Sequence, residues 1–120
     1  MNLKPKFTES AADHTIDLIC PQCGGSDLHH NTITIYERLR GEDDPNTLVT
    51  NVNNGPRVSL KFNPNNPSDR RDGLGITFTC ESCESLNNGG IMELTIAQHK
   101  GTTYFKWRIK YISSPQWIVE

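Results

Sequence analysis

All four cysteines of this chain fall in two Cys-x-x-Cys pairs, Cys20-Pro21-Gln22-Cys23 and Cys80-Glu81-Ser82-Cys83. Two thiolates on one tight turn can both face an ion at about 2.3 Å, and two such turns supply a closed tetrahedral zinc site. No other feature constrains the fold as much, because the segment between the pairs must bring them back together. Gly24 and Gly25 follow the first pair and ease the turn after its second ligand. No glycine directly follows the second pair, so it is the less typical knuckle. Each pair follows a strand-like segment, residues 16–19 and 76–79, which is the arrangement of a zinc ribbon. A short zinc ribbon places roughly 15 to 20 residues between its pairs. Here Gly24 to Thr79 intervene, long enough for three strands, so the ribbon is expected to enclose an inserted β segment.

Redox chemistry is the rival use of such thiols. Redox dithiols sit at a helix N-terminus, which lowers the thiol pKa, and no amphipathic helical period follows either pair. A catalytic zinc keeps an open position beside three protein ligands, whereas four thiols close the site. His29 and His30 lie just beyond the first knuckle, and either is an alternative ligand in place of a cysteine. The expectation is one structural zinc ion on Cys20, Cys23, Cys80 and Cys83.

The rest of the chain reads as strand and loop. With 120 residues, 34% hydrophobic and 22% charged, it suits one domain with a modest core, the size that gains from a staple. No apolar run approaches the ~20 residues of a membrane-spanning helix. Residues 1–10 carry two lysines and no apolar stretch after them, so no secretory signal is expected. Residues 1–12 are expected to be a flexible arm, and the compartment to be the reducing cytoplasm, where paired thiols hold metal.

Alternation with period two dominates. Residues 28–40 form a strand with Ile33, Ile35 and Leu39 on one side and Thr32, Thr34, Tyr36 and Arg38 on the other. Turn clusters at residues 42–46 and 53–56 bound strands 48–52 and 57–62. An aperiodic loop covers residues 63–75. In strand 75–80, Ile76 and Phe78 are expected inward and Thr77 and Thr79 outward. Residues 87–90 break the chain. The final hairpin runs from 91–98 to 102–112 through a three-residue loop, His99-Lys100-Gly101, with Gly101 in the left-handed region. Phe105, Trp107, Ile109 and Tyr111 form the expected core stripe. Trp117 and Ile118 suggest a tail that folds back.

Opposite that stripe stand Tyr104, Lys106, Arg108 and Lys110, a row that reads either as a contact surface or as protection of a sheet edge. Lys100 at the hairpin tip and the Arg70-Arg71 pair in the long loop add positive charge suited to phosphate or carboxylate. For the arginines the plainer reading is that Asp72-Gly73 turns the chain and Arg71 ties the loop to the body. Charge is unevenly spread. Residues 9–44 hold eight acids against Arg38 and Arg40, while residues 95–114 hold four cations and no acid, within a net charge of −2. That net charge argues against broad electrostatic binding of nucleic acid. No phosphate loop, nucleophile elbow or paired-carboxylate pattern is present, so no enzymatic activity is expected.

The run from Asn66 to Leu74, the second knuckle, the stretch from Leu94 to Tyr104 with Trp107, and Leu28-His29-His30 after the first knuckle together resemble a family of small uncharacterised proteins of bacteria and their phages. The resemblance covers most of residues 18–108. It implies a single-domain, zinc-ribbon-like protein, often carried on mobile elements, with no known catalytic activity. The expected fold is all-β, an antiparallel sheet with a zinc ribbon. The expected function is a non-enzymatic binding module for a host or phage protein, for a second copy of itself, or for nucleic acid. Alternatives are a nucleic-acid-binding regulatory zinc ribbon, and a small enzyme or thiol redox protein.

Overall fold

The computed structural model describes residues 3–9, 14–39, 41, 46–52, 55–62, 65–83, 86, 89–111 and 117–118. Among them run nine strands: β1 Phe7–Glu9, β2 Ile16–Leu18, β3 Leu28–Glu37, β4 Asn46–Val52, β5 Pro56–Phe62, β6 Gly73–Cys80, β7 Gly90–His99, β8 Thr102–Tyr111 and β9 Trp117–Ile118. β1 and β2 pair with each other. The other seven form one sheet in the order β5-β4-β3-β6-β7-β8-β9. Every pairing is antiparallel, as the alternating pattern led us to expect. Arg40, the turn at 42–45, and positions 53–54, 63–64 and 87–88 lie outside the described residues. Among the described residues no helix is long and apolar enough to cross a membrane.

The β7–β8 hairpin is tighter than expected. His99 pairs with Thr102, so the loop is only Lys100-Gly101. Both take positive φ, 49° and 82°. A two-residue turn with this backbone matches the right-handed twist of its strands. In β3 the register with β6 slips between His30 and Ile33, a bulge. The Thr77 hydroxyl accepts from the Thr32 amide at 2.9 Å and takes up the donor that the bulge frees.

Directly paired residues share a face of the sheet. One face carries Ile33, Ile76, Leu94 and Trp107 in a row, with Phe78 and Met92 nearer the cysteines. Trp107 is fully buried and meets Phe78 edge-to-face at 5.6 Å. Leu3, Leu18, Leu28 and Leu86 pack around this cluster. The Trp107 amide donates to the Leu3 carbonyl at 2.8 Å. Leu3 and Lys6 thus contact the rest of the chain, while residues 1–2 and 10–12 of the expected arm lie outside the described residues. The tail returns as expected: Trp117 and Ile118 pair with Lys110 and Ile109.

The other face is buried as well, and with polar groups. Thr34, Tyr36, Thr47, Thr77, Glu93, Thr95 and Arg108 are all buried there beside Val49 and Ala97. This reverses part of the sequence reading. Thr77 is inside rather than outside, and Tyr36 is buried while Ile35 stands 36% exposed. The reason lies in the loop after β5. It crosses this face, and its Asn65 carbonyl accepts from Arg108 Nη2 at 2.7 Å. Gly73 leaves room for Asn66 and Pro67, whose atoms would lie within 2.8 Å of any Cβ there. The core stripe of β8 is also shorter than expected. Phe105, one row beyond Trp107 from the cysteine end, is 48% exposed. Ile109 is half-buried, and the side chain of Tyr111 lies outside the described residues.

Candidate metal centre

β3 starts just after the first knuckle, and β6 ends in the second. Because the two strands are antiparallel with Leu28 opposite Cys80, they deliver both knuckles to one end of the sheet. The intervening strands fold away at the other end. The expected inserted segment is thus the body of the sheet itself, from β3 to most of β6.

Cys20 Sγ lies 3.7 Å from Cys83 Sγ, and Cys23 Sγ lies 3.6 Å from Cys80 Sγ. All four sulfurs fall within 4.8 Å of one another and could hold a metal ion. Sulfurs at 2.3 Å from a tetrahedral centre stand about 3.8 Å apart, so these separations match the edges of a zinc–tetrathiolate tetrahedron. They are far longer than the ~2.05 Å of a disulfide.

Local backbone structure makes both turns. In the first knuckle Cys20 N–H donates to the Gly25 carbonyl at 2.7 Å, and Gly24 N–H donates to the Cys20 carbonyl at 3.0 Å. Gly24 sits at φ 79°, where a side chain would strain the turn. The Gly25 amide points at Cys23 Sγ and the Ser82 amide at Cys80 Sγ, each at 3.4 Å. Such amides favour the thiolate form needed for ligation. Asp27 joins the turns: its carbonyl accepts from Glu81 N–H, and its carboxylate accepts from the Ser82 hydroxyl.

The Gly25 amide lowers the Cys23 pKa, whereas burial, ahead of the neighbouring thiols, pushes Cys83 up. Burial also raises Cys80 and outweighs the Ser82 amide. Four crowded sulfurs cannot all carry charge unaided, and a dication at their centre would remove that penalty. The histidines stand apart. The described cluster consists of the four cysteines. His29 Nε2 meets Glu81 Oε1 at 2.7 Å on the surface, and His30 is exposed on β3.

The basic residues singled out in the sequence do not form one surface. Lys100 and Tyr104 are exposed, and Lys106 and Lys110 are half-buried. Arg108 turns inward: Nε donates to Glu93 Oε1 at 2.8 Å, and Glu93 is fully buried. This corrects its place in an exposed contact row. Arg70 and Arg71 are exposed on the long loop, at the far end of β6 from the cysteines.

Two residues escaped the sequence reading. Arg38 is the clamp that holds the long loop, with Nε on the Arg71 carbonyl and Nη2 on those of Ser68 and Asp69. Arg71 contributes its backbone oxygen to that tie. Glu93 is the other. A hairpin register centred on Lys100-Gly101 places it opposite Arg108, whereas the three-residue loop expected from the sequence would have set it opposite Trp107.

No protein-family model, curated protein or solved structure matches this chain.

Proposed function

We propose that this chain is a non-enzymatic protein-binding module whose sheet is stapled by one structural zinc ion on Cys20, Cys23, Cys80 and Cys83. The observation that carries the metal reading is the pair of cross-knuckle sulfur separations, 3.6 and 3.7 Å, at tetrahedral edge length. Four sulfurs fill the coordination sphere, so the ion's role is to hold the knuckles together. A reducing compartment such as the cytoplasm keeps such thiols available.

A protein partner is favoured over nucleic acid by the exposed apolar surface beyond the core. Phe105, Ile96, Leu74, Ile35, Thr50 and Val58 are successive partners in one row across six strands. Of these, Phe105, Ile35 and Val58 are 48, 36 and 61% exposed, and Val52 in the adjoining row is 40% exposed. Contiguous apolar surface of this kind suits contact with an apolar patch of another protein. Burial of Arg108 weakens the competing basic row. The resemblance to proteins of bacteria and phages points to a host or phage factor as that partner.

The test is Phe105→Glu with Val58→Glu, examined by pull-down from the native host and by sedimentation. The reading predicts loss of a specific partner with zinc content unchanged and melting lowered no more than by Phe105→Ala with Val58→Ala, a pair that keeps the partner more strongly. Retention of every partner, or steeply salt-dependent binding of DNA or RNA strands instead, would refute it. A concentration-dependent dimer abolished by the same change would identify the partner as a second copy.

A further inference from the structure

β8 has an outer edge that the fold covers only in part. β9 pairs with it at Ile109 and Lys110, and the Leu3 carbonyl accepts from the Trp107 amide at 2.8 Å. Among the described residues no strand lies beside Thr102–Lys106 on that side. We propose that this open stretch pairs antiparallel with the same stretch of a second copy, joining two sheets into one about a two-fold axis at Tyr104. The proposal rests on the protein-binding reading and assigns the Phe105 end of the apolar row to a second copy of the chain.

The backbone fixes which groups face outward. In an antiparallel ladder, each residue directs its N–H and C=O to one side, and successive residues alternate. His99 and Thr102 close a two-residue turn, so Thr102 bonds inward to β7. The Lys106 carbonyl also points inward, where the Thr95 hydroxyl donates to it at 2.9 Å. The Trp107 amide points outward, since it reaches Leu3. All three give one phase, in which Thr103 and Phe105 turn N–H and C=O away from β7. Gln98, opposite Thr103, sends its amide the other way, to the Ser68 hydroxyl at 3.0 Å. Among the described residues nothing bonds the outward groups of Thr103 and Phe105.

A second copy fits this gap. With Tyr104 opposite the partner's Tyr104, Thr103 pairs with the partner's Phe105 and Phe105 with the partner's Thr103. Every outward group on both copies is then bonded. Thr102 faces the partner's Lys106, so no like charges are set opposite each other. Tyr104 is 41% exposed and Phe105 48%. The two Tyr104 rings meet at a non-hydrogen-bonded pair, where side chains come closest, and the two Phe105 rings meet diagonally on the other face. Residue choice points the same way. Sheet edges are guarded by proline, by charge or by bulges. β5, at the far edge, has Pro56, Arg57 and Lys61 in its sequence. Thr102-Thr103-Tyr104-Phe105 has neither proline nor charge and consists of strong strand formers. Leu3 and the hairpin turn bound the gap, and a symmetric contact closes at two copies instead of growing into a fibre.

A contact this short buries less than the about 1,000 Å² of a stable interface, so the dimer is weak and needs high concentration. The test is sedimentation of the full zinc-loaded chain from micromolar to millimolar concentration, where a monomer–dimer equilibrium is expected. Tyr104→Glu and Tyr104→Lys should each weaken it about tenfold or more by setting like charges across the axis, and an equimolar mixture of the two should associate again. Thr103→Pro should weaken it to a similar degree, because the amide it removes faces outward and the ladder to β7 is kept. Zinc content and melting of these variants should stay near wild type. A chain that is monomeric at millimolar concentration, a mixture that associates no better than its components, or a full-strength dimer in both Thr103→Pro and Tyr104→Glu would overturn the proposal. Thr103→Pro leaves Ile35 and Val58 in place, and capture of a host or phage protein is read on the same samples. Capture without a dimer sinks the dimer alone, and a dimer without capture sinks the host or phage reading alone.

Discussion

Arg108 Nε donates to Glu93 Oε1 at 2.8 Å across the β7–β8 hairpin, and neither side chain reaches solvent to any extent. The second carboxylate oxygen of Glu93 has no hydrogen-bond partner among the described residues, and its headgroup occupies the space above Gly75. Burial raises the Glu93 pKa, and Arg108 only partly offsets it. The same burial, with the Glu93 charge, pushes the Tyr36 phenol up. This polar cluster is an expensive interior held by one ion pair, and the first prediction tests it.

Arg108→Met should destabilise the fold by about 3–5 kcal/mol, because it strands a buried carboxylate. The sign of the pH dependence follows from the raised pKa. The native state holds its proton at a pH where the unfolded state has lost it, so stability falls as pH rises above the unfolded carboxylate range. Loss of Arg108 removes the group that opposes this, so the variant should lose more stability than wild type between pH 5 and pH 8. Glu93→Leu combined with Arg108→Met should recover most of the loss. Denaturant unfolding at the two pH values is the measurement, and a pH-independent deficit would contradict the account.

Trp107 and Phe105 lie two residues apart on the same face and should respond differently. Trp107→Ala should cost about 3–5 kcal/mol, since the side chain is fully buried against Phe78, Met92 and Leu94. Phe105→Ala should cost well under half as much, because half of its surface is already exposed. Equal losses in urea unfolding would mean that the cover over Trp107 extends across Phe105.

Lys100 holds φ at 49° in the hairpin turn, a conformation that Asn tolerates better than Lys. Lys100→Asn should raise stability by roughly 0.5–1 kcal/mol, seen as a higher melting temperature with zinc content unchanged. A neutral or lower melting temperature would indicate that the turn relaxes to the longer, bulged form.

The sequence carried the strands of this end of the molecule well. Period-two alternation marked β6, β7 and β8, and the knuckles had to meet, but which strands pair to bring them together, β3 with β6, was not written in the pattern. What alternation could not show was which face is covered. Tyr36 and Thr77 are buried because the loop after β5 lies over their side, a tertiary event invisible in a strand's own pattern. The same loop draws Arg108 inward through Asn65 and away from the row that its spacing suggested. The bulge after His30 shifts the phase within β3 and leaves no mark in residue type. The arginine loop read as aperiodic because its order comes from side-chain bonds to its own carbonyls, with Arg38 reaching in from β3's end.

The central claim is that a single zinc ion joins two turns whose cysteines are 57 and 63 residues apart, and that the fold depends on it. The most direct measurement is metal analysis of protein purified without added zinc, with melting followed before and after removal of metal by a chelator. The account predicts one zinc per chain, a large fall in melting temperature on removal, and recovery when zinc returns. Cys23→Ser should bind zinc weakly and melt near the metal-free protein. A chain purified without metal, melting at the same temperature with or without zinc, would contradict it.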